Sequence, residues 1–128
     1  MSPPEAKQVT LQDLSVDQLV DRFAALALEQ DTALLGESIT RVNQLYYALK
    51  DVENELTARE GDQRRALVRL YEHKNPQVRL KAVKATLAVA PEVARPMLQA
   101  IADSREYPQA GEAGMSIRNL KEGIYKPK

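Results

Sequence analysis

Asn75-Pro76-Gln77-Val78-Arg79-Leu80-Lys81-Ala82-Val83-Lys84-Ala85-Thr86-Leu87-Ala88-Val89-Ala90 carries a helix pattern that returns, weakened, from Tyr107 to Lys121, and Pro76-Gln77 comes back as Pro108-Gln109. Asn75 is a side-chain cap, and Pro76 suits the first helical position, where its missing N–H costs nothing. The helix so begun runs to about Val89. Val78, Ala82, Ala85 and Val89 make one apolar stripe, and Leu80, Val83 and Leu87 make a second. A helix apolar on two sides is sandwiched between neighbours. Shifting the later segment back by 32 residues sets Ala110 on Val78, Gly114 on Ala82, Met115 on Val83 and Ile117 on Ala85. Chains with such a period stack helical pairs, because one pair cannot bury its apolar face alone.

Upstream, Ser15 with Gln18 three residues on reads as a capping box, so a first helix starts near Val16 and Gly36 stops it. Its stripe is Val16, Leu19, Phe23 and Leu26, widened by Val20 and Ala27, with Asp17, Asp21 and Glu29 on the wet side. A second helix begins around Glu37-Ser38 and runs to about Ala58. Its seam, Val42, Leu45, Leu49, Val52 and Leu56, alternates spacings of three and four, which predicts an antiparallel hairpin with the first helix. Gly61-Asp62 breaks the chain and caps a third helix, Gln63 to about His73, with Leu67, Leu70 and Tyr71 facing inward. After the fourth helix, Pro91 restarts the pattern for a fifth, facing inward with Val93, Met97, Leu98 and Ile101. Pro96 predicts a kink there, or a start only near Arg95, since a mid-helix proline costs about 3 kcal/mol. The sixth runs from about Pro108 to Lys121, with Gly123 as its C′ residue and Ile124 and Tyr125 folding back onto it.

One domain is expected from 128 residues with 44% hydrophobic composition, enough to bury roughly two-thirds of the unfolded chain's surface. It divides into an N-terminal arm (1–14), a long helical hairpin (15–60), a first repeat (61–90) and a second repeat with a tail (91–128). With no cysteine there is no disulfide, thiolate nucleophile or cysteine metal site. The polar opening from Met1 to Gln8 does not resemble a signal peptide, and no segment reaches transmembrane length, so a cytoplasmic location is expected. The net charge of zero conceals a division. Residues 1–60 hold eleven acids and five bases, a balance of −6, and residues 61–128 hold thirteen bases and seven acids, a balance of +6. Such halves can steer a charged partner or attract each other, within one molecule or between two.

Asn75-Pro76-Gln77-Val78-Arg79, followed by Ala82, Ala85 and Leu87, resembles the second helix of a HEAT repeat. The stretch Gly61 to Pro127, with Gly61-Asp62-Gln63-Arg64-Arg65 and Tyr107-Pro108-Gln109-Ala110-Gly111, is similar to a small bacterial family known only as a domain of unknown function with HEAT-like helices. The hairpin before it resembles that family more loosely. The resemblance implies an all-α fold, a HEAT-like α-α superhelix of about six helices in three antiparallel pairs, and a bacterial source. It supplies no catalytic residues. In the second repeat Gly111 stands where Arg79 does.

Chemistry is sparse. The single histidine, His73, falls where the third helix ends, and a cation there complements the helix dipole. No cluster carries metal-ligand spacing, and no cofactor or small-molecule substrate is indicated. Ser116 lies in a helix with no preceding strand, unlike a nucleophile elbow. Gly111-Glu112-Ala113-Gly114 lacks the Gly-Lys-Ser/Thr ending of a phosphate loop. Each helical glycine costs about 1 kcal/mol relative to alanine, so the pair is read as admitting close helix packing or a partner. The basic stretch from Arg64 to Lys84 permits weak nucleic-acid binding through phosphates, but no tryptophan is present for base stacking. Adjacent Tyr46 and Tyr47 point about 100° apart, leaving one of them semi-exposed as an interface anchor.

These readings favour a non-enzymatic protein-binding module, of adaptor or of inhibitor and immunity type. A self-associating structural protein and a nucleic-acid binder are the alternatives. The candidate partner-binding residues are Gln77, Lys81, Lys84, Gln109, Glu112 and Ser116, expected as a solvent-exposed row, together with Tyr47.

Overall fold

The computed structural model describes residues 10–128, so the polar opening from Met1 to Gln8 lies outside it. Among the described residues the fold is all-helical, without strands. A 3₁₀ turn at Leu11–Asp13 leads into α1 (Val16–Leu35) and α2 (Ile39–Ala58); a 3₁₀ helix at Gln63–Glu72 is followed by α3 (Pro76–Thr86), α4 (Pro91–Asp103) and α5 (Gln109–Lys121). The predicted caps are in place. Ser15 Oγ accepts from the Gln18 N–H at 3.1 Å while Gln18 Oε1 accepts from the Ser15 N–H at 2.9 Å, and Asn75 Oδ1 accepts from the N–H groups of Gln77 and Val78 at 2.8 and 3.2 Å. Gly123, with φ +72°, provides the left-handed C′ residue after α5.

Helices α1 and α2 form the expected hairpin around buried Leu19, Phe23, Ala27, Leu45, Leu49, Val52 and Leu56. Arg59, just past α2, closes its open end by donating to the carbonyls of Leu14 and Leu11 at 2.7 and 3.1 Å and pairing with Glu55 at 2.7 Å. The other end is a tight turn through Gly36 and Glu37, the latter at φ +57°.

The third helix departs from the expected α form. Its buried residues are Arg64, Leu67 and Leu70, three apart. At 3.0 residues per turn they line up along one edge, whereas an α-helix would carry them steadily around its axis. Asp62, at φ +50°, starts this helix by accepting from the Arg64 N–H and holding the Arg64 guanidinium in an ion pair at 2.6 Å.

Helix α3 is sandwiched as its two stripes require. Val78, Ala82 and Ala85 join the core of α1, α2 and the 3₁₀ helix, while Leu80, Val83 and Leu87 join a second core with Ala94, Leu98, Ile101 and Ala113. It ends at Thr86, three residues before the expected Val89. There Thr86 Oγ turns back to the carbonyls of Ala82 and Val83, at 2.8 and 3.1 Å, and bonds the hydroxyl of Tyr71. Such back-bonding competes with continuation of the helix.

Of the two alternatives for Pro96 the late start near Arg95 is not taken, and the inward position of Val93 is corrected. The helix starts at Pro91 and runs through Pro96, which lies on the exposed side, where water can hydrate the Glu92 carbonyl that its ring leaves without a donor. Its buried face is Ala94, Leu98 and Ile101, with Val93 turned outward.

The 32-residue register holds at the start of α5 and then fails. Ala110 is buried like Val78, but Met115, set on buried Val83, is 65% exposed, because among the described residues nothing packs on that face of α5. The glycines do not admit a close neighbour. A Cβ at Gly114 would meet nothing within 4 Å, and one at Gly111 would make only an ordinary 3.9 Å contact with Tyr107.

A chain of buried amides ties the helices together. Gln109 Nε2 donates to Gln77 Oε1 at 2.9 Å, Gln77 Nε2 donates to Gln30 Oε1 at 2.7 Å, and Gln30 Nε2 donates to the Val42 carbonyl at 3.2 Å. The three glutamines are only 2–3% exposed. They join the first turns of α3 and α5 to the last turns of α1, so Pro76 and Pro108 open helices that meet at the same level.

Gln77→Ala leaves a buried donor and a buried acceptor unpaired and should destabilise the protein by roughly 2–4 kcal/mol in urea unfolding, against roughly 1–3 kcal/mol for Gln109→Ala at the end of the chain. Gly114→Ala, with open space for its methyl group, should raise stability by about 0.4–1 kcal/mol, seen as a higher melting temperature.

Candidate functional site

The second helix of each successive pair contributes to one groove. Tyr46, Lys50 and Glu53 of α2 form one wall, Lys81, Lys84 and Ala85 of α3 the base, and Ser116 and Asn119 of α5 the other wall. Phe23 and Leu49 close the floor and Tyr125 of the tail closes one end, around a volume of about 320 Å³. Tyr46, Lys50 and Glu53 follow each other at spacings of four and three, so they share one face of α2.

Charge in the groove is uneven. Glu112 Oε2 lies 3.2 Å from Lys84 Nζ and 3.9 Å from Lys81 Nζ, and Glu53 lies 3.6 Å from Lys50. Lys84 bonds Glu112, whereas Lys81 Nζ makes no hydrogen bond among the described residues. Its side chain is only 17% exposed. Burial therefore pushes the Lys81 ammonium below its ordinary pKa, opposed by the Glu112 carboxylate and reinforced by neighbouring Lys84. Lys81 lies 5.9 Å from the centre of the Tyr46 ring and Lys84 5.9 Å from that of Tyr125, both at cation–π range. Burial also raises the Tyr125 hydroxyl above its ordinary pKa, aided by nearby Glu53.

The expected row of partner-binding residues is thus divided. Lys81, Lys84 and Ser116 come together in the groove, with Glu112 bridging the two lysines. Gln77 and Gln109 are not exposed; they are the buried amide chain, because the first turns of α3 and α5 abut each other and α1. Ser116 is buried at the groove wall. Tyr47 is exposed as expected, but Tyr46 is exposed too, and it is Tyr46 that faces the groove. Sequence reading points to Tyr47 rather than Tyr46, gives Tyr125 only a packing place and does not single out Lys50, Glu53 and Asn119, although the shared face of Tyr46, Lys50 and Glu53 is a signal. Of the two tail residues expected to fold back, Tyr125 does and Ile124 stays exposed.

His73 has a structural place by a different mechanism from dipole capping. Its Nδ1 accepts from the Asn75 N–H at 3.0 Å, and the cation that meets the end of the 3₁₀ helix is Arg79, donating to the His73 carbonyl at 2.8 Å. The basic stretch is largely paired: Arg64 with Asp62, Arg65 with Glu92, Arg69 with Asp17 and Arg79 with Glu106. Among the described residues no three His, Asp or Glu side chains gather as a metal site, and no helix is long and apolar enough to cross a membrane.

A second surface stands apart from the groove. Ala33, Leu34, Glu37, Ser38, Ile39 and Val42 line a shallow depression at the tip of the α1–α2 hairpin, beside Leu35. Leu35 and Ile39 are 80% and 76% exposed.

Comparison with known proteins adds kinship. No curated protein matches the chain. The crystal structure of the protein RPA1889 from Rhodopseudomonas palustris CGA009 is similar at 49% sequence identity and a TM-score of 0.90, covering 94% of this chain and 100% of that one. The family described as a domain of unknown function, DUF2019, matches residues 17–121. With that match covering residues 17–121 of the 128, the chain belongs to the DUF2019 family.

Proposed function

We propose that this protein is a non-enzymatic protein-binding module, a HEAT-like α-α superhelix of three helical pairs, and that it engages its partner with the tip of the α1–α2 hairpin. The observation that carries the reading is the exposure of Leu35 and Ile39 beside Leu34 and Val42. Burying one such side chain contributes about 1.5–3 kcal/mol, which this monomer forgoes at its hairpin tip. Contiguous apolar surface of this kind on a soluble domain marks an interaction site. The superhelical reading is supported by the amide chain through α1, α3 and α5 and by the two buried faces of α3.

The rim of the tip carries one acid without an ion pair among the described residues. Glu37 flanks the depression, and Glu29, a turn and a half before Leu35, is paired with Arg41 at 2.8 Å. A partner segment presenting apolar residues with a basic one opposite Glu37 fits this surface. The ion pairing within the basic stretch favours this reading over nucleic-acid binding, since most of its arginines already hold a carboxylate. The non-enzymatic part is supported by the engagement of His73, the single histidine, in a backbone turn.

Leu35→Asp and Ile39→Asp each change a solvent-facing side chain, so thermal unfolding should be nearly unaltered. Each should weaken the partner complex by about 2 kcal/mol, some thirtyfold, as loss of an interface anchor does. The check is crosslinking and affinity capture with wild-type protein beside both variants. A partner retained equally by all three, or crosslinked at Lys81 and Lys84 instead of the tip, would refute the assignment. Sedimentation at high concentration separates a foreign partner from a second copy: a dimer abolished by Leu35→Asp would replace the foreign partner with self-association.

A further inference from the structure

We propose that the groove between α2, α3 and α5 is a binding site for a small organic anion, with a carboxylate or phosphate seated on Lys81 and Lys84 and an apolar body held between Tyr46 and Tyr125. This goes beyond partner binding at the hairpin tip and does not depend on it.

The starting point is Lys81. An ammonium carries three donors and is strongly hydrated in water. Here the side chain is about four-fifths covered, and among the described residues no acceptor lies within hydrogen-bonding range and the nearest carboxylate oxygen is 3.9 Å away. Its Nζ is not sealed off, because none of the buried side-chain nitrogens or oxygens lacks a partner. The donors therefore open into the groove. A buried charge is retained at a cost unless something pairs with it, and an anion in the groove supplies what the fold leaves unmade.

The surroundings define the ligand. Lys84 Nζ is the second cation on the same face of α3, held by Glu112 at 3.2 Å. Counting every charge lining or bridging the groove, Lys50, Lys81 and Lys84 stand against Glu53 and Glu112, which leaves one positive charge for a ligand to neutralise. Glu112 is the most exposed member of its cluster, so it can swing toward water as an anion arrives. The floor of Phe23, Leu49 and Ala85 is apolar. Lys81 Nζ lies over the Tyr46 ring and Lys84 Nζ over the Tyr125 ring, so both rings line the groove beside the cations, where they can flank an apolar body. Ser116 and Asn119 add polar groups that fix orientation. Clefts for small ligands fall at about 300–1,000 Å³ with mostly apolar walls and a few converging polar groups, and at about 320 Å³ this groove suits a single ring with its head group.

The tail belongs to the site. Tyr125 is anchored by its N–H to the Asn119 carbonyl at 3.1 Å, and the Lys128 carbonyl accepts from Arg64 at 2.8 Å, so this segment lies along the groove's end and limits the length of the ligand.

The test is a titration of the isotope-labelled protein at low ionic strength, followed by amide chemical shifts, with phenyl phosphate, benzoate, inorganic phosphate and benzyl alcohol as probes. Phenyl phosphate or benzoate should bind saturably and move the amides of Lys81, Lys84, Ser116 and Tyr125. Their relative affinity tells phosphate from carboxylate, and inorganic phosphate and benzyl alcohol should each bind about tenfold more weakly or worse, having only one half of the recognition. Lys81→Met removes the charge while keeping the stem. It should weaken binding by about tenfold or more, as loss of a charge-assisted hydrogen bond does, and melt no lower than wild type. Tyr46→Leu should weaken the ring-bearing probes and leave inorganic phosphate unchanged. Absence of saturable binding by both ring-bearing anions below about 10 mM would overturn the proposal, as would equal binding by Lys81→Met or shifts centred elsewhere. Leu35→Asp should leave this binding intact, so failure here and failure at the hairpin tip are read separately.

Discussion

One buried side chain sets the arrangement of the others. The Gln77 amide accepts from Gln109 and donates to Gln30 in an interior where either group, left unpaired, would cost the free energy of a lost hydrogen bond. Both bonds form only when the first turns of α3 and α5 lie side by side against the end of α1. Apolar contacts alone would allow these helices to slide, since burial is non-directional. The amide chain fixes their level, and the Asn75 side chain reinforces it by donating to Asp31 of α1 at 3.1 Å.

The groove follows from that fixed level. With α3 held against α1 on one side and α4 and α5 on the other, its remaining face, carrying Lys81 and Lys84, looks along α2 toward Tyr46 and Glu53. Desolvation of Lys81 is therefore a consequence of architecture, and its cost is only partly offset by a carboxylate shared with Lys84. The basic residues on the 3₁₀ helix have a different fate. Arg69 reaches Asp17 of α1, so part of the attraction between the acidic and basic halves of the chain is spent within the molecule. Arg64 holds both the turn at Asp62 and the tail at Lys128.

The hairpin tip escapes all of these constraints. Gly36 and Glu37 turn the chain beyond the reach of α3, so Leu35 and Ile39 project past the end of the core. Exposure there and a largely covered lysine in the groove are opposite departures from ordinary packing, apolar side chains left wet and a charge left without a hydrogen bond among the described residues.

Capping and periodicity made most of the helices legible. Ser15 with Gln18, Asn75 with Pro76, and Gly123 act within a few residues of the backbone they terminate, so their chemistry is local and the sequence by itself determined it. The same holds for the two apolar stripes of α3. The three-residue spacing of Arg64, Leu67 and Leu70 was written there too, though read as an α-helix. What only the tertiary structure decided is which polar groups lie inside. Gln77 and Gln109 look like surface residues because an amide's environment depends on partners 32 and 47 positions away. Whether Met115 is covered depends on what packs against α5, and how far Lys81 is covered depends on where α2 stands. Helix-forming bonds span four residues and are encoded locally, whereas burial is a property of distances between helices, which no short stretch of sequence contains.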